Sequence, residues 1–345
     1  MKTTNEKLLD WAIDKIKKEY KDDIALLIGN SALKMKQDTE GVCFDYFVPL
    51  NEKGNNLAKT FIIDGIGYDL YPRSWKRIGN MANLDDYNPT CLGHSQILYY
   101  RNEEDKNQFL TMQKKLQENL ENVEFMFKKS LEKLNVATEI YQTMMFEDSI
   151  GKVRMAAGFI ADFLSVAVAF VNQTYFKYSQ VEQMKELSEM KEIPENFIQY
   201  YKAIINATSV DELKHLCHVM ILSTRKFMIK NNPKKDDNIY NTNFYNLADW
   251  FQELCYTWRR VYYYCDQRDT EKVFVWGCYL QEELNTVKEE FGLKEMDLLS
   301  QFDTKDLSIF RQCAEELEKY IIDEINKHGV ELDIYNTVEN FLAKN

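Results

Sequence analysis

The chain lacks the short motifs that mark several enzyme classes. Its 345 residues contain no Gly-x-x-x-x-Gly-Lys-Ser phosphate loop, no Gly-x-Ser-x-Gly elbow and no His-Glu-x-x-His zinc motif. Each of these motifs sets reactive or ligand groups at a fixed spacing, so their absence removes three common routes to phosphate binding, acyl transfer and metal-assisted hydrolysis. Any site must therefore come from another arrangement of residues.

Paired cysteines are also missing. The seven cysteines, at positions 43, 91, 217, 255, 265, 278 and 313, lie far apart and include no Cys-x-x-Cys pair. An odd and scattered set is more typical of reduced thiols than of a disulfide framework. No signal peptide precedes the first predicted helix, whose start is polar. We therefore expect a cytoplasmic protein.

Positive charge and long apolar runs are scarce. The chain has 43 Lys and Arg against 55 Asp and Glu, a net charge of -12. Since nucleic acids are held largely through neutralisation of their phosphates, we expect no sequence-independent binding of nucleic acid, although a local basic patch could bind one nucleotide. The one long apolar segment, residues 155–171, carries Asp162 and is short for a membrane span. We interpret it as the central buried helix of a bundle and expect no membrane association.

Strand-forming sequence is confined to the first hundred residues. Apolar, aromatic and β-branched runs bounded by Gly, Asn and Pro predict strands at 24–28, 42–49, 60–63 and 66–71, with a last edge strand at 96–100. Asp64-Gly65 predicts a two-residue hairpin turn, because Gly tolerates the positive φ that such a turn needs. Helix 5–20 precedes the sheet and should pack on one of its faces.

Everything after residue 105 predicts helices with short breaks. One long helix should cover residues 112–134, because apolar residues recur there every three or four positions. Residues 139–178 predict one or two helices with a possible break at Asp148-Ser149. Before this helical region, residues 79–95 predict a loop. Further helices are expected at 195–206, 211–230, 243–266, 270–290, 304–327 and 333–343.

Two strand ends carry groups of chemical interest. The first run ends at Gly29 and the helix-permissive residues 32–36 follow, so a turn there would leave backbone N–H groups free to hold a phosphate. Side chains alternate along a strand, so Asp45 and Asp69 each occupy one face of their strands. If these strands are neighbours, the two carboxylates can converge beneath the Gly29 turn.

This order of elements resembles the nucleotidyltransferase superfamily: a strand, Gly29-Asn30-Ser31, a short helix, a strand with Asp45 and a hairpin strand with Asp69. It is most similar to the aminoglycoside and lincosamide adenylyltransferases. The resemblance covers about the first third of the chain in detail and the remainder only as architecture. It implies an α+β fold in which a nucleotidyltransferase-like mixed-sheet domain, residues 1–105, precedes an all-α helical bundle domain, residues 106–345.

The resemblance also implies roles for single residues. Gly29, Asn30 and Ser31 match a turn that holds the triphosphate of ATP, the co-substrate. Asp45 and Asp69 match two of the three carboxylates that hold Mg²⁺ in that superfamily.

Two further roles concern residues outside that core motif. Arg73 and Lys76, in a basic and aromatic cluster, would neutralise the leaving pyrophosphate, unless they belong to a solvated helix turn. Glu253 matches by position the base that takes the proton of the acceptor hydroxyl. The alternative for Glu253 is an exposed Glu-Arg pair on an amphipathic helix with an aromatic buried face.

The sequence departs from the family at the Asp-x-Asp pair. Position 43 is Cys and position 47 is Phe, so Asp45 has no partner in either register. Because Mg²⁺ demands near-octahedral oxygen geometry, a site with two carboxylates holds it less well. Asp38 and Glu40 lie just upstream and could substitute from a loop.

Two functions are consistent with these features. The first is an enzyme, related to antibiotic-resistance proteins, that transfers a nucleoside monophosphate, AMP from ATP, to a hydroxyl of a small acceptor such as a cationic aminoglycoside. The alternative is a catalytically degenerate nucleotidyltransferase-fold protein that binds a nucleotide or a protein partner. A homodimer in which a second subunit completes the cleft stays open. The Arg-x-x-x-x-His pattern of the helical ribonucleases that accompany minimal nucleotidyltransferases is absent, which weakens a toxin interpretation.

Overall fold

The computed structural model describes residues 3–30, 43–233 and 240–344. These residues belong to two compact units, Met1–Lys234 and Lys235–Asn345. Within the described ranges, the first unit holds a five-stranded mixed sheet and ten α-helices, and the second holds helices without a sheet. The predicted α+β class is confirmed. The predicted boundary near residue 105 falls inside the first unit and stays a prediction.

The sheet is made of strands that the sequence pattern locates correctly. Its strands are β1 (Ile24–Asn30), β2 (Cys43–Pro49), β3 (Lys59–Ile63), β4 (Ile66–Pro72) and β5 (Ser95–Tyr100). Their order is β3-β4-β2-β1-β5, in which β2 and β4 pair in parallel and the other neighbours pair antiparallel. Every residue of β1 is buried, as its unbroken apolar run requires. The prediction that β5 is an edge strand is confirmed.

The turn between β3 and β4 is the predicted two-residue hairpin. Ile63 pairs with Ile66, and the intervening Asp64 and Gly65 have φ values of 50° and 78°. Positive φ at both central positions matches the right-handed twist of the flanking strands, which explains the Asp-Gly sequence.

A β-bulge in β2 changes the direction of Asp45. Ile28 of β1 pairs with Tyr46, but the next residue, Gly29, pairs with Phe44, so Asp45 is an extra residue without a partner on β1. Because a bulge breaks the strict alternation of side chains, the face predicted for Asp45 from a period of two does not hold.

The first strand does not end in the predicted turn at Gly29. Gly29 pairs with Phe44 on one side and with Gln96 on the other, and Asn30 continues both ladders. The expectation of a strand that ends at Gly29 is therefore wrong: tertiary pairing with two neighbours extends the strand by two residues. The predicted helix at 32–36 lies outside the described residues.

Helices cover both faces of the sheet. On one face, Ala12 and Ile16 of α1 (Thr4–Glu19) pack with Leu27 and Phe47, which confirms the predicted position of this helix. The other face is covered by α3 (Trp75–Ala82), α4 (Thr90–Gly93) and α5 (Glu103–Glu121). The short helix α2 (Glu52–Asn55) follows β2.

The prediction of a loop at residues 79–95 is wrong in part, since the second half of α3 and the whole of α4 lie there. The Ser74 side chain accepts a hydrogen bond from the Arg77 backbone N–H and caps α3, and Ile78, Met81 and Ala82 are buried against the sheet. Tertiary burial of these three residues stabilises a helix in a segment whose Gly and Asn content favours a loop.

The remaining helices of the first unit form a bundle with its own core. They are α6 (Val123–Met144), α7 (Ile150–Val171), α8 (Gln183–Ser188), α9 (Phe197–Asn206) and α10 (Val210–Lys230). The predicted single helix over 112–134 is wrong, because Asn122 leaves helical geometry and its side chain accepts from the Phe125 backbone N–H at 3.0 Å to start α6. The predicted break at Asp148-Ser149 is confirmed between α6 and α7.

The apolar segment interpreted as a buried helix is α7. Its inner residues, including Ile160 and Leu164, are fully buried in the bundle core. Among the described residues, α7 is the one helix that is long and apolar enough to cross a membrane. Core helices of soluble proteins also pass this test, and 56% of the most apolar window of α7 is buried.

The second unit is all-helical in the residues that are described. It contains α11 (Phe244–Asp266), α12 (Thr270–Phe291), a short 3₁₀ turn (Leu299–Gln301), α13 (Ser308–Lys327) and α14 (Val338–Lys344). Trp258, Leu280 and Ile321 are fully buried at its centre. The aromatic face predicted for the segment around Trp258 is therefore part of this core.

Candidate functional site

The bulge in β2 brings Asp45 to the hydroxyl of Tyr71 on β4. The Tyr71 Oη atom donates a hydrogen bond to Asp45 Oδ1 at 3.0 Å. Arg73 in turn donates to the same Tyr71 oxygen from Nε at 3.1 Å and from Nη2 at 2.5 Å. Arg73, Tyr71 and Asp45 thus form a continuous chain of hydrogen bonds that ends on the carboxylate.

Arg73 is buried within this chain. Its side chain is 3% exposed, and its guanidinium lies over the rings of Tyr46 and Tyr71, at 4.8 Å and 5.1 Å from their centroids. Its Nη1 contacts the sulfur of Met81 at 2.9 Å. A guanidinium enclosed by two aromatic rings cannot reach a phosphate at the surface in this conformation. Its contribution is a positive charge inside the protein, next to Asp45.

Cys91 of α4 also belongs to this cluster. The Tyr46 hydroxyl donates to the Cys91 carbonyl oxygen at 3.1 Å, and the Cys91 thiol lies beside Asp45. Burial, and then the negative charge of Asp45, raise the pKa of the Cys91 thiol to about 12. The same two causes raise the pKa of Tyr71. At neutral pH both groups keep their protons, and Tyr71 is therefore a hydrogen-bond donor to Asp45.

One oxygen of Asp45 lacks a regular hydrogen bond. The Asp45 Oδ2 atom is buried and has no hydrogen bond of regular geometry among the described residues, although the Cys91 thiol interacts with the Asp45 carboxylate. A buried carboxylate oxygen without a partner is costly and is normally satisfied by a donor, a water or a cation. This atom is the one feature of the cluster that could accept a further ligand.

Asp69 has a different environment. It is exposed, and its Oδ1 accepts a hydrogen bond from the Thr60 hydroxyl at 2.7 Å, across the β3–β4 ladder in which the two residues pair. Asp45 and Asp69 therefore have separate partners among the described residues.

The prediction that Asp45 and Asp69 hold Mg²⁺ stays a prediction. Over the ranges that the structure describes, no group of three or more His, Cys, Asp or Glu side chains could hold a metal ion. Asp45 offers one oxygen without a regular hydrogen bond next to the positive charge of Arg73, whereas Mg²⁺ needs about six oxygen ligands in octahedral geometry. The two residues that could add carboxylates, Asp38 and Glu40, lie outside the described residues.

The predicted phosphate-binding residues that the structure describes have different surroundings. The backbones of Gly29 and Asn30 are engaged in the sheet, and the Asn30 side chain is buried and donates to the Thr90 carbonyl oxygen at 3.3 Å. Ser31 lies outside the described residues. Lys76, on the first turn of α3, is exposed and has no ion-pair partner among the residues described.

Glu253, the predicted base, belongs to the second unit. It is exposed on α11, and Arg260 of the same helix stacks between the rings of Tyr256 and Trp276 at 4.3 Å and 4.2 Å from their centroids. In the described structure Arg260 thus contacts aromatic rings rather than Glu253. The catalytic role of Glu253 stays a prediction.

Tyr71 and Cys91 are the members of the cluster that sequence reasoning missed. Tyr71 lies two residues after Asp69 and reads as an apolar strand residue, and Cys91 is 46 positions from Asp45 in the chain. The one sequence feature that pointed to this cluster beside Asp45 itself was Arg73, two residues after Tyr71, because a cation close to predicted carboxylates suggests an electrostatic role.

Comparisons with known proteins leave the family undecided. No family model matches the chain, and no curated protein sequence matches it. Among solved structures, a nucleotidyltransferase-like protein from Exiguobacterium sibiricum 255-15 is similar over 64% of this chain and 75% of that chain, with 11% sequence identity and a TM-score of 0.35. At that identity and TM-score the similarity carries no argument about activity.

Proposed function

We propose that this chain is a nucleotidyltransferase-like protein that binds a nucleotide and has lost metal-dependent transfer. The observation that carries the proposal is the hydrogen-bond chain from Arg73 through Tyr71 to Asp45, the carboxylate that the resemblance assigns to Mg²⁺. In this protein, that carboxylate accepts a hydrogen bond from the Tyr71 hydroxyl.

Electrostatics supports the loss of the metal. The buried guanidinium of Arg73 already compensates the negative charge of Asp45, with Tyr71 between them. A divalent cation next to this guanidinium would be repelled, and the repulsion is strong where water is excluded. Binding of Mg²⁺ at Asp45 would therefore require the Arg73 side chain to leave its place between two tyrosine rings.

The nucleotide would be held through its phosphates at the start of α3. Lys76 is exposed there, and no described carboxylate pairs with it. The first turn of a helix also presents free backbone N–H groups and a partial positive charge, which favour a phosphate. Binding of this kind needs no metal.

Calorimetric titration with a non-hydrolysable ATP analogue, with and without Mg²⁺, tests this proposal. We expect the same affinity in both conditions and in Asp69→Asn. Lys76→Met should weaken binding by about tenfold, the loss typical of one charge-assisted hydrogen bond, whereas Lys59→Met on the exposed strand β3 is the matched control. Binding that needs Mg²⁺ and disappears in Asp69→Asn would contradict the proposal.

The second candidate is transfer of AMP from ATP to a hydroxyl of a small, cationic acceptor, with Asp45, Asp69 and Glu253 as catalytic residues. One observation favours it, namely the buried Oδ2 atom of Asp45 that lacks a hydrogen bond of regular geometry among the described residues. Release of pyrophosphate from ATP in the presence of Mg²⁺ and an aminoglycoside would establish this activity. Its loss in Glu253→Gln, with the fold intact, would assign the base.

A further inference from the structure

A cavity in the first unit is lined in part by Thr90, the first residue of α4. It is bounded by residues 86–90, α6, α7 and residues 175–183, and it encloses about 50 Å³. A more open groove of about 460 Å³ adjoins it and shares the side chains of Tyr87, Asp162, Gln180 and Gln183. The two spaces therefore have four lining side chains in common.

The walls of the cavity are largely apolar and aromatic. They include Phe163, Val166 and Phe170 of α7 and the buried residues Tyr175 and Phe176. Such a surface favours a flat, apolar body over a strongly hydrated one.

Lys133 of α6 brings to this lining a positive charge that makes no ion pair among the described residues, although Glu132 and Asp85 act on it at longer range. It is half-buried, and no carboxylate oxygen of the described residues lies within 4.0 Å of its Nζ atom. Burial is the main cause that lowers the pKa of its ammonium group. By contrast Lys129, one turn earlier, pairs with both Asp85 and Glu132. A half-buried ammonium that makes no direct ion pair is a position at which an anion can bind.

Asp162 supplies the second polar group. Its Oδ1 accepts from Gln183 Nε2 at 2.6 Å and its Oδ2 accepts from the Tyr87 hydroxyl at 3.2 Å. Gln180 donates to that same Tyr87 hydroxyl, and the Tyr201 hydroxyl donates to Gln183 at 3.0 Å. The Tyr87 ring is 56% exposed, so its bond to Asp162 is the member of this network that a ligand could replace most easily.

We propose that this cavity and the adjoining groove bind a small hydroxylated aromatic carboxylate. The ring packs against Phe163 and Phe176, the carboxylate pairs with Lys133, and the hydroxyl donates to Asp162 in place of Tyr87. An aromatic ring exceeds the enclosed space, so binding requires the Tyr87 side chain to leave Asp162 and join the cavity to the groove. This inference does not rest on the proposed nucleotide binding.

Calorimetric titration of the full chain with 4-hydroxybenzoate tests the proposal. Lys133→Met keeps the length of the side chain but removes its charge, and it should weaken binding by about tenfold or more, as expected for loss of a charge-assisted pair. Lys128→Met makes the same change at an exposed position of the same helix and should leave the affinity unchanged. Circular dichroism establishes that both variants are folded.

Two further probes test the roles of the ligand groups on the unmodified protein. Methyl 4-hydroxybenzoate lacks the anion and benzoate lacks the hydroxyl, and each should bind about tenfold more weakly than 4-hydroxybenzoate. The proposal is overturned if the protein does not bind 4-hydroxybenzoate, if the ester binds equally well, or if Lys133→Met and Lys128→Met have the same effect.

Discussion

At the scale of single residues, Tyr71 connects the two charges of the buried cluster. Its hydroxyl accepts from Arg73 and donates to Asp45, so it satisfies part of the hydrogen-bonding capacity of both. Asp45 and Arg73 are oriented by this one group, although they are not paired directly in the described structure.

Tyr71→Phe should therefore destabilise the protein although it removes a single oxygen atom. The change leaves Asp45 Oδ1 and two guanidinium N–H groups of Arg73 without this partner, and we expect the free energy of unfolding to fall by about 1–3 kcal/mol. Urea unfolding followed by circular dichroism measures this loss. Tyr99→Phe on β5 is the control, because no described group is hydrogen-bonded to its hydroxyl. Equal effects of both changes would show that the Tyr71 hydroxyl carries no special role.

The raised pKa of the Cys91 thiol predicts how the stability of the protein depends on pH. Its pKa is about 12 in the folded protein against an ordinary value of 9.0, so the unfolded chain releases the proton first as the pH rises. The stability associated with this thiol is fully present below pH 9.0 and is lost progressively between 9.0 and about 12.

Urea unfolding at about pH 8 and about pH 10 checks this dependence. Wild-type protein should lose stability over the interval, and Cys91→Ala should lose less, whatever its stability at the lower pH. An equal decline in both proteins would contradict the assigned pKa.

At the scale of elements, the sequence predicts the positions of the strands and of most helices. Its predictions are wrong where pairing between strands decides the geometry. The hairpin at Asp64 and Gly65 is local, so its residue types are sufficient to predict it. The bulge at Asp45 depends on how β2 pairs with β1, which a single strand does not reveal. For this reason the predicted face of Asp45 was wrong. The extension of β1 to Asn30 was missed because it depends on pairing with β2 and β5, which lie later in the chain.

The hairpin also allows a test of local conformation. Gly65→Ala places a side chain at φ 78°, and we expect a loss of about 1 kcal/mol in the free energy of unfolding. Gly67→Ala, in β4, is the matched control, since an added Cβ meets no atom within 4 Å at either position. Thermal or urea unfolding of both variants measures the difference. If Gly67→Ala is as destabilising as Gly65→Ala, backbone conformation is not the cause.

At the scale of the whole molecule, the chain has two units with separate cores. The described core of the second unit is built from α11, α12, α13 and the connections between them, with Leu280 and Trp258 fully buried. The sequence predicted the helices of this unit, and the domain boundary near residue 105 stays a prediction.

Leu280→Ala should destabilise the second unit alone. Removal of a fully buried leucine side chain costs about 2–5 kcal/mol, and the lost contacts all lie within that core. Hydrogen exchange read by mass spectrometry should show faster exchange in α11, α12 and α13 and unchanged exchange in β1, β2 and β4. Faster exchange in the sheet would show that the two units unfold together.

Two carboxylates of the sheet bear on the proposed loss of nucleotide transfer. Its sheet carries Asp45 bonded within the protein and Asp69 bonded to Thr60, and the described residues provide no third carboxylate for a metal. These contacts support the proposal of nucleotide binding without transfer.

Electron paramagnetic resonance of Mn²⁺, titrated into the protein in the presence of the non-hydrolysable ATP analogue, tests the central claim most directly. Mn²⁺ replaces Mg²⁺ at carboxylate sites and loses its free-ion signal when bound. If Asp45 is engaged by Tyr71 and Arg73, the free Mn²⁺ signal should decrease only as much as the nucleotide itself binds Mn²⁺. The decrease should be the same in wild type, Asp45→Asn and Asp69→Asn. A saturable Mn²⁺ site that disappears in both variants would contradict the account and establish a metal-dependent nucleotidyltransferase site.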